Sequence, residues 1–259
     1  MTILLDELVF GESVRWHDGR PWLCDWGTGE VIAATAAGGR EVVARVPSYP
    51  LCIDWLPDGR MLAVAGGDAR LLRLEPDGSL VTHAELPPGV GRWNEVVVTP
   101  DGGAFVNGGE FVARIDPDGT ARVAADGLAF PNGMAVTADG GCLLVAESRA
   151  GRITAFDVAP GGDLSAPRAW AYVAGSAPDG ICLGPDGSVW YADVPNRCCR
   201  RVAEGGDVLQ TVDADRGCFS CALGGPDGAT LFVAATEWRG FEQMFSPPAT
   251  GQLLAVAVG

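Results

Sequence analysis

Four residues able to offer oxygen ligands, Glu12, Asn94, Asn132 and Asp179, each open a short run of mostly apolar residues that closes in an Asp-Gly turn. The runs are Glu12-Ser-Val-Arg-Trp, Asn94-Glu-Val-Val-Val, Asn132-Gly-Met-Ala-Val and Asp179-Gly-Ile-Cys-Leu. Asn94, Asn132 and Asp179 lie seven residues before the Asp of their turn, and Glu12 lies six before its own. Two carboxylates and two amides converging on one point repel one another and are poorly solvated, whereas one divalent cation satisfies them all. Oxygen-only ligands favour a hard ion such as Ca²⁺, Mg²⁺ or Mn²⁺, and Zn²⁺ also accepts carboxylate oxygen. The competing reading is that each Asn or Asp merely caps a turn. Arg92 stands two residues before Asn94, on the same face of a strand, where it is able to orient an oxygen-rich substrate or to pair with an acid.

For these residues to meet, the elements carrying them must repeat. Six Asp-Gly turns end hydrophobic runs, at Asp18-Gly19, Asp58-Gly59, Asp101-Gly102, Asp139-Gly140, Asp186-Gly187 and Asp227-Gly228. A period near 40 residues with several short strands per unit is the spacing of propeller blades. Runs such as Cys142–Ala146, Ser188–Ala192 and Thr230–Ala234 are rich in β-branched and aromatic residues and bounded by Gly, Pro and Asp, as buried strands are. The expected fold is therefore an all-β six-bladed β-propeller with a metal ion in its central channel. Six such units use residues 1–259 as a single domain. The first strand of each blade should line the channel, with Leu51 and Ser220 filling the equivalent positions of blades two and six, so the ring is polar on one side only. Closure should come from residues 3–9 pairing beside the strand Gln252–Val256.

Composition narrows the partners. The 259 residues carry a formal net charge of −15, which repels nucleic acid and anionic membranes. The first ten residues lack a basic leader and no apolar run reaches the length of a membrane span, so a cytoplasmic protein acting on a small molecule is expected. Its oligomeric state is left open. Eight cysteines, five of them within strand-like runs, are expected to be reduced and buried, with Cys198 and Cys199 able to include one exposed thiol. His17 and His83 are the two histidines, and both are expected at the surface. This argues against Ser-His-Asp or Cys-His catalysis. Tyr49, Trp93, Phe130 and Phe219, with the aromatic segment Trp238–Phe245, are placed to wall a pocket above the ion.

Together, Gly11–Trp16, Arg92–Glu95, Phe130–Met134, Pro178–Gly180 with Val189–Asp193, and Gly217–Gly228 resemble the SMP-30/gluconolactonase/LRE (regucalcin-like) family over essentially the whole chain. The resemblance implies a six-bladed propeller holding one divalent ion, Ca²⁺ first with Zn²⁺, Mg²⁺ or Mn²⁺ as alternatives. It implies metal ligands Glu12, Asn132 and Asp179, and substrate contacts from Arg92 and Asn94. Glu95 stands where the family motif usually has Asp, and the segment from Asn107 to Arg114 is short where relatives often carry a longer loop; Glu110 is the one acid there expected to reach a ligand. The implied activity is metal-assisted hydrolysis of a lactone, a sugar lactone or related cyclic ester, with Asp179 as general base. Alternatives are a phosphotriesterase-like hydrolase on the same site and a non-catalytic, metal-dependent small-molecule-binding protein. The branch resembling strictosidine synthase is disfavoured by Glu12, Asn132 and Asp179.

Overall fold

A computed structural model describes residues 1–35 and 38–259. Among the described residues, hydrophobic runs and turns alternate to give 24 strands in six four-stranded antiparallel sheets. Strand β1 (Thr2–Leu8) is set apart from the blade that follows it. Blade one is β2 (Gly11–His17), β3 (Arg20–Asp25), β4 (Glu30–Ala34) and β5 (Arg40–Arg45), and blade two is β6 (Leu51–Trp55), β7 (Met61–Ala65), β8 (Arg70–Leu74) and β9 (Leu80–Glu85). Blade three comprises β10 (Trp93–Val98), β11 (Ala104–Gly108), β12 (Phe111–Ile115) and β13 (Ala121–Ala125). Blade four comprises β14 (Pro131–Val136), β15 (Cys142–Glu147), β16 (Arg152–Val158) and β17 (Leu164–Tyr172). Blade five is β18 (Pro178–Leu183), β19 (Val189–Asp193), β20 (Cys198–Val202) and β21 (Val208–Asp213). Blade six contains β22 (Gly217–Gly224), β23 (Thr230–Thr236) and β24 (Gly251–Ala257), and β1 completes it in the order β1-β24-β23-β22.

The ring closes by the pairing the termini predict. Ile3 lies opposite Leu254 and Leu8 opposite Gly251, with Leu5 and Leu8 buried. The first strand of blade six thus comes from the end of the chain and its last from the beginning, so closure ties the two ends together.

Five of the six Asp-Gly turns that end a channel strand are built alike, whereas Asp18-Gly19 is a two-residue hairpin in which Asp18 also takes a positive φ, 49°. The Gly takes a positive φ, 85° at Gly59 and Gly102, which glycine adopts without the clash a Cβ would bring. In the five, the Asp side chain accepts the amide two residues on, Asp101 from Gly103 at 3.1 Å and Asp139 from Gly141 at 3.0 Å. Asp77-Gly78 and Asp118-Gly119 make the same turn farther out, between third and fourth strands, so the repeat depends on which strand a turn ends.

Between neighbouring blades the outer faces of one sheet meet the next across an apolar layer, for instance Leu62, Val64, Trp93, Val96 and Val106 between blades two and three. Burial of such surface contributes about 25 cal/mol per Å² and is the main force holding the blades. The inner strands β2, β6, β10, β14, β18 and β22 touch in succession around the channel. All eight cysteines are free, with Cys198 and Cys199 both buried, so neither offers an exposed thiol. The histidines depart from expectation. His17 lies at the end of β2 and stacks on Trp55 with ring centroids 4.0 Å apart, and His83 is half-buried with Nδ1 3.2 Å from the Arg73 guanidinium. No helix is long and apolar enough to cross a membrane among the described residues.

Candidate functional site

The polar heads of the channel strands coincide with breaks in strand register. Pairing of the first two strands slips between Glu12 and Arg15, Trp93 and Val96, Pro131 and Met134, Pro178 and Ile181, and Cys218 and Ser220. A bulge adds a residue to one strand and re-aims its side chain. Blade two, whose β6 pairs with β7 without a slip from Leu51 to Trp55, contributes the buried apolar Leu51 instead. Polar residue and bulge therefore go together.

Glycine lets the bulged strands close on one another. A Cβ at Gly133 would collide with the Asp179 carbonyl, and one at Gly180 would lie 2.7 Å from Ser220 Cα. The Asn132-Gly133 and Asp179-Gly180 pairs thus join a polar side chain to a site of close backbone approach.

Glu12, Asn94, Asn132 and Asp179 all line one cavity of about 500 Å³ at the channel mouth. Asn94 Nδ2 donates to Asn132 Oδ1 at 2.9 Å, and Glu12 Oε2 accepts from the Ser13 amide at 2.9 Å. Asn94 Oδ1 and Asp179 Oδ1 are buried without a hydrogen-bond partner. Burial, opposed by the Ser13 bond and reinforced by the nearby Glu95 charge, pushes the Glu12 carboxyl up to about 8. Burial, together with the charges of Glu12 and Glu95, holds Asp179 well above the usual carboxylate range. Such a set favours either protons or a cation. No group of three His, Cys, Asp or Glu side chains is placed to hold a metal among the described residues, so amide oxygens must supply part of any ligand set. The unpartnered amide oxygen of Asn94 fits that requirement, the unpartnered Asp179 Oδ1 adds a carboxylate oxygen, and Glu12, Asn94, Asn132 and Asp179 together suit a hard divalent ion.

Beneath this ring Glu95 points away from the cavity and pairs with Arg15 at 2.7 Å, while Arg15 also donates to the Val96 carbonyl at 3.0 Å. Asn107 holds the strand above, accepting from the Glu95 amide at 3.3 Å and donating to the Asn132 carbonyl. Sequence reading overlooked Arg15 because it resembles any strand residue until its buried partner is known. Ser148, also missed, lines the cavity and donates to the Pro178 carbonyl at 2.7 Å.

Arg92 reaches the cavity rim, but its guanidinium stacks 4.1 Å from the Tyr49 ring centroid and donates from NH1 to the Tyr49 carbonyl at 2.9 Å. It makes no ion pair among the described residues, which removes the structural-pair reading. Glu110, expected to reach a ligand, instead sits exposed between β11 and β12 and is not among the lining residues, because the short turn there presents Gly108 and Gly109 to the cavity. Trp93 also turns away. It is buried between blades two and three, with Nε1 donating to the Pro87 carbonyl at 3.3 Å. Of the remaining aromatics expected at the mouth, Tyr49, Phe130, Phe219, Trp238 and Phe241 line the cavity, joined by Phe10 and Trp26, whereas Phe245 does not line it and packs against Phe10 and Tyr49. Phe130 holds φ at 63°, a strained value for a non-glycine residue that here sets a cavity wall.

The fold and its mouth define a six-bladed propeller with a polar, cation-suited floor under an aromatic rim. Residues 10–237 match the family described as the SMP-30/gluconolactonase/LRE-like region, and the chain belongs to that family. Among solved structures the chain is similar to a gluconolactonase from Xanthomonas campestris, at 20% identity and a TM-score of 0.79 over 98% of this chain and 89% of that one. It is also similar to regucalcin from Agrobacterium tumefaciens, described as a calcium-binding protein, at 18% identity and a TM-score of 0.80 over 99% and 92%. A luciferin-regenerating enzyme matches at 17% identity and a TM-score of 0.82 over 98% and 93%. At these identities the likeness concerns the fold. No curated protein sequence matches.

Proposed function

We propose that the protein is a hydrolase of a lactone or related cyclic ester, dependent on one divalent cation held by Glu12, Asn94, Asn132 and Asp179. The observation that carries this reading is the pair of buried, unpartnered oxygens, Asn94 Oδ1 and Asp179 Oδ1, beside the crowded carboxyl of Glu12. Family membership and the name of the Xanthomonas relative support the lactone as substrate class, and the regucalcin relative supports Ca²⁺ as the ion. When bound, a divalent ion polarises a carbonyl and stabilises the negative charge that develops on its oxygen.

The chain's own residues supply the rest. Asp179 is the general base: positive charge beside it favours its carboxylate form, and the carboxylate then accepts the proton of the attacking water. Glu12 of blade one and Asn132 of blade four would help to hold the ion. The Asn94 amide is tied to Asn132 through Nδ2, which fixes its free oxygen toward the floor. Arg92, held by Tyr49, leaves its remaining N–H groups to hold a substrate oxygen at the rim.

The test is turnover of a lactone panel by the wild-type and Asp179→Asn proteins, with and without chelator. Chelation should abolish turnover and one divalent cation restore it, and Asp179→Asn should lose about 100-fold or more in kcat. Full metal-dependent turnover by Asp179→Asn would remove the base assignment. Turnover that survives exhaustive chelation would remove the cation.

A further inference from the structure

The cavity is chemically divided. Its floor carries the polar groups of blades one, three, four and five, while the wall from blades six and one is aromatic or thioether: Phe10, Trp26, Phe219, Trp238, Phe241 and Met244. These rings form a connected set. Phe10 meets Phe219 edge to face at 4.6 Å and stacks on Trp26 at 5.6 Å; Phe219 lies 5.7 Å from Trp238, which meets Phe241 edge to face at 5.0 Å. The outer members come from residues 237–250 between β23 and β24, a far longer connection than the tight turns after the channel strands.

Two facts make this wall more than packing. Trp238 and Phe241 are 40% and 70% exposed, although they border a concave site rather than an open face. The wall is also poor in free polar groups: of its two indole N–H groups, Trp26 Nε1 is already committed to the Leu51 carbonyl at 2.7 Å, which leaves the single donor of Trp238 and no side-chain oxygen acceptor. A sugar lactone carries several hydroxyl groups around its ring, and beyond the one that Trp238 Nε1 is able to meet, those turned to this wall would lose water without gaining a partner. A flat apolar ring placed there buries aromatic surface on both sides and stacks on the existing rings.

We infer that the preferred substrate is a lactone or ester with an aromatic or other flat apolar body. Its carbonyl lies over Asn94, Asn132 and Asp179, its body lies against Phe10, Phe219 and Trp238, and Phe241 extends the wall outward. Trp238 and Phe241 are then specificity-determining residues. This inference rests on the proposed hydrolysis only for the fate of the carbonyl; the division of the cavity stands apart from it.

The experiment compares dihydrocoumarin, a δ-lactone fused to an aryl ring, with glucono-δ-lactone. Hydrolysis is followed for both with Ca²⁺, Zn²⁺, Mg²⁺ and Mn²⁺, and binding of both is measured by calorimetry on the Asp179→Asn protein. The aryl-fused lactone should have the higher kcat/KM by about 100-fold, the order of discrimination that pocket contacts achieve. The double variant Trp238→Ser/Phe241→Ser should raise its KM about 10-fold, the loss of a single good aromatic contact, with a smaller change in kcat. Both side chains are partly exposed, and the melting temperature of the variant separates lost folding from lost contact. A higher kcat/KM for the sugar lactone, or an unchanged KM in a folded double variant, overturns the inference and leaves hydrolysis standing. Binding of the aryl-fused lactone without turnover under any of the four ions overturns hydrolysis and leaves the inference standing. If the wild type turns over neither lactone and the Asp179→Asn protein binds neither, both are overturned.

Discussion

Asn94 donates to Asn132 across the junction of blades three and four at 2.9 Å, and in doing so leaves its own Oδ1 buried and unpartnered over the channel. One amide thus spends its donor on a neighbour and keeps its acceptor free. Asn94→Asp should expose what that acceptor faces. A third carboxylate beside Glu12 and Asp179 adds repulsion in the metal-free protein and attraction for a divalent cation. The melting temperature in chelator should fall by a few degrees, since a domain of this size shifts about 2–4 °C per kcal/mol. The rise on adding millimolar Ca²⁺ should exceed that of the wild type. A fall unchanged by any divalent cation would show that Asn94 Oδ1 faces no ion site.

The pH dependence of stability follows from the same floor. Burial raises the folded-state carboxyls of Glu12, to about 8, and of Asp179. A carboxyl raised on folding contributes stability that is complete below the ordinary carboxylate range and is lost as pH climbs through its folded value. In chelator, the melting temperature should therefore fall between about pH 5 and pH 9 as these two groups are forced to ionise. Added Ca²⁺ should raise it little at pH 5, where protons occupy the site, and most at pH 9. A larger rise at pH 5 would mean that the ion and the protons do not compete, and that these carboxylates are not the ligands.

The spacing of the Asp-Gly turns was enough to locate β2, β10, β14 and β18 and to bring Glu12, Asn94, Asn132 and Asp179 into one ring. It worked because a turn built from Asp and Gly is a local device, readable residue by residue. The bulges that aim those side chains were not legible, for a bulge is a property of two strands together. Glu95 shows the cost. Adjacent to Asn94, it was compared with a ligand-contacting position, yet it turns beneath the ring to meet Arg15, a partner 80 residues away. Glu110 failed for a related reason: sequence shows that the segment is short but not that its turn offers backbone glycine to the cavity while its acid faces solvent.

Gly180 tests how tightly the channel strands are required to pack. A Cβ there would sit 2.7 Å from Ser220 Cα and 3.0 Å from the Phe219 carbonyl oxygen, both backbone atoms that cannot swing aside. Gly180→Ala should cost about 1–3 kcal/mol, the usual penalty for forcing an extra methyl into a packed core. It should also weaken cation binding, because Asp179 precedes it on the same bulge. Thermal melts and calcium titration on one sample check both. A loss of stability with unchanged cation affinity would separate the packing of blades five and six from the placement of Asp179.

Leu8 tests the closure. It is fully buried among Leu23, Val14, Ala234 and Leu253, where β1 meets both the last strand of the chain and the first blade. Leu8→Ala leaves a cavity at that junction and should cost about 2–5 kcal/mol, the range for truncating a buried leucine. Deleting residues 1–9 removes the whole outer strand of blade six along with Leu5 and Leu8, and should lower the melting temperature further than the single substitution. Since Phe10 and Glu12 follow directly on from β1, the deletion should also weaken cation and ligand binding together. If the truncated protein melted at the wild-type temperature, the ring would be held shut by the contact of blades one and six alone, and β1 would be an appendage rather than the closing strand.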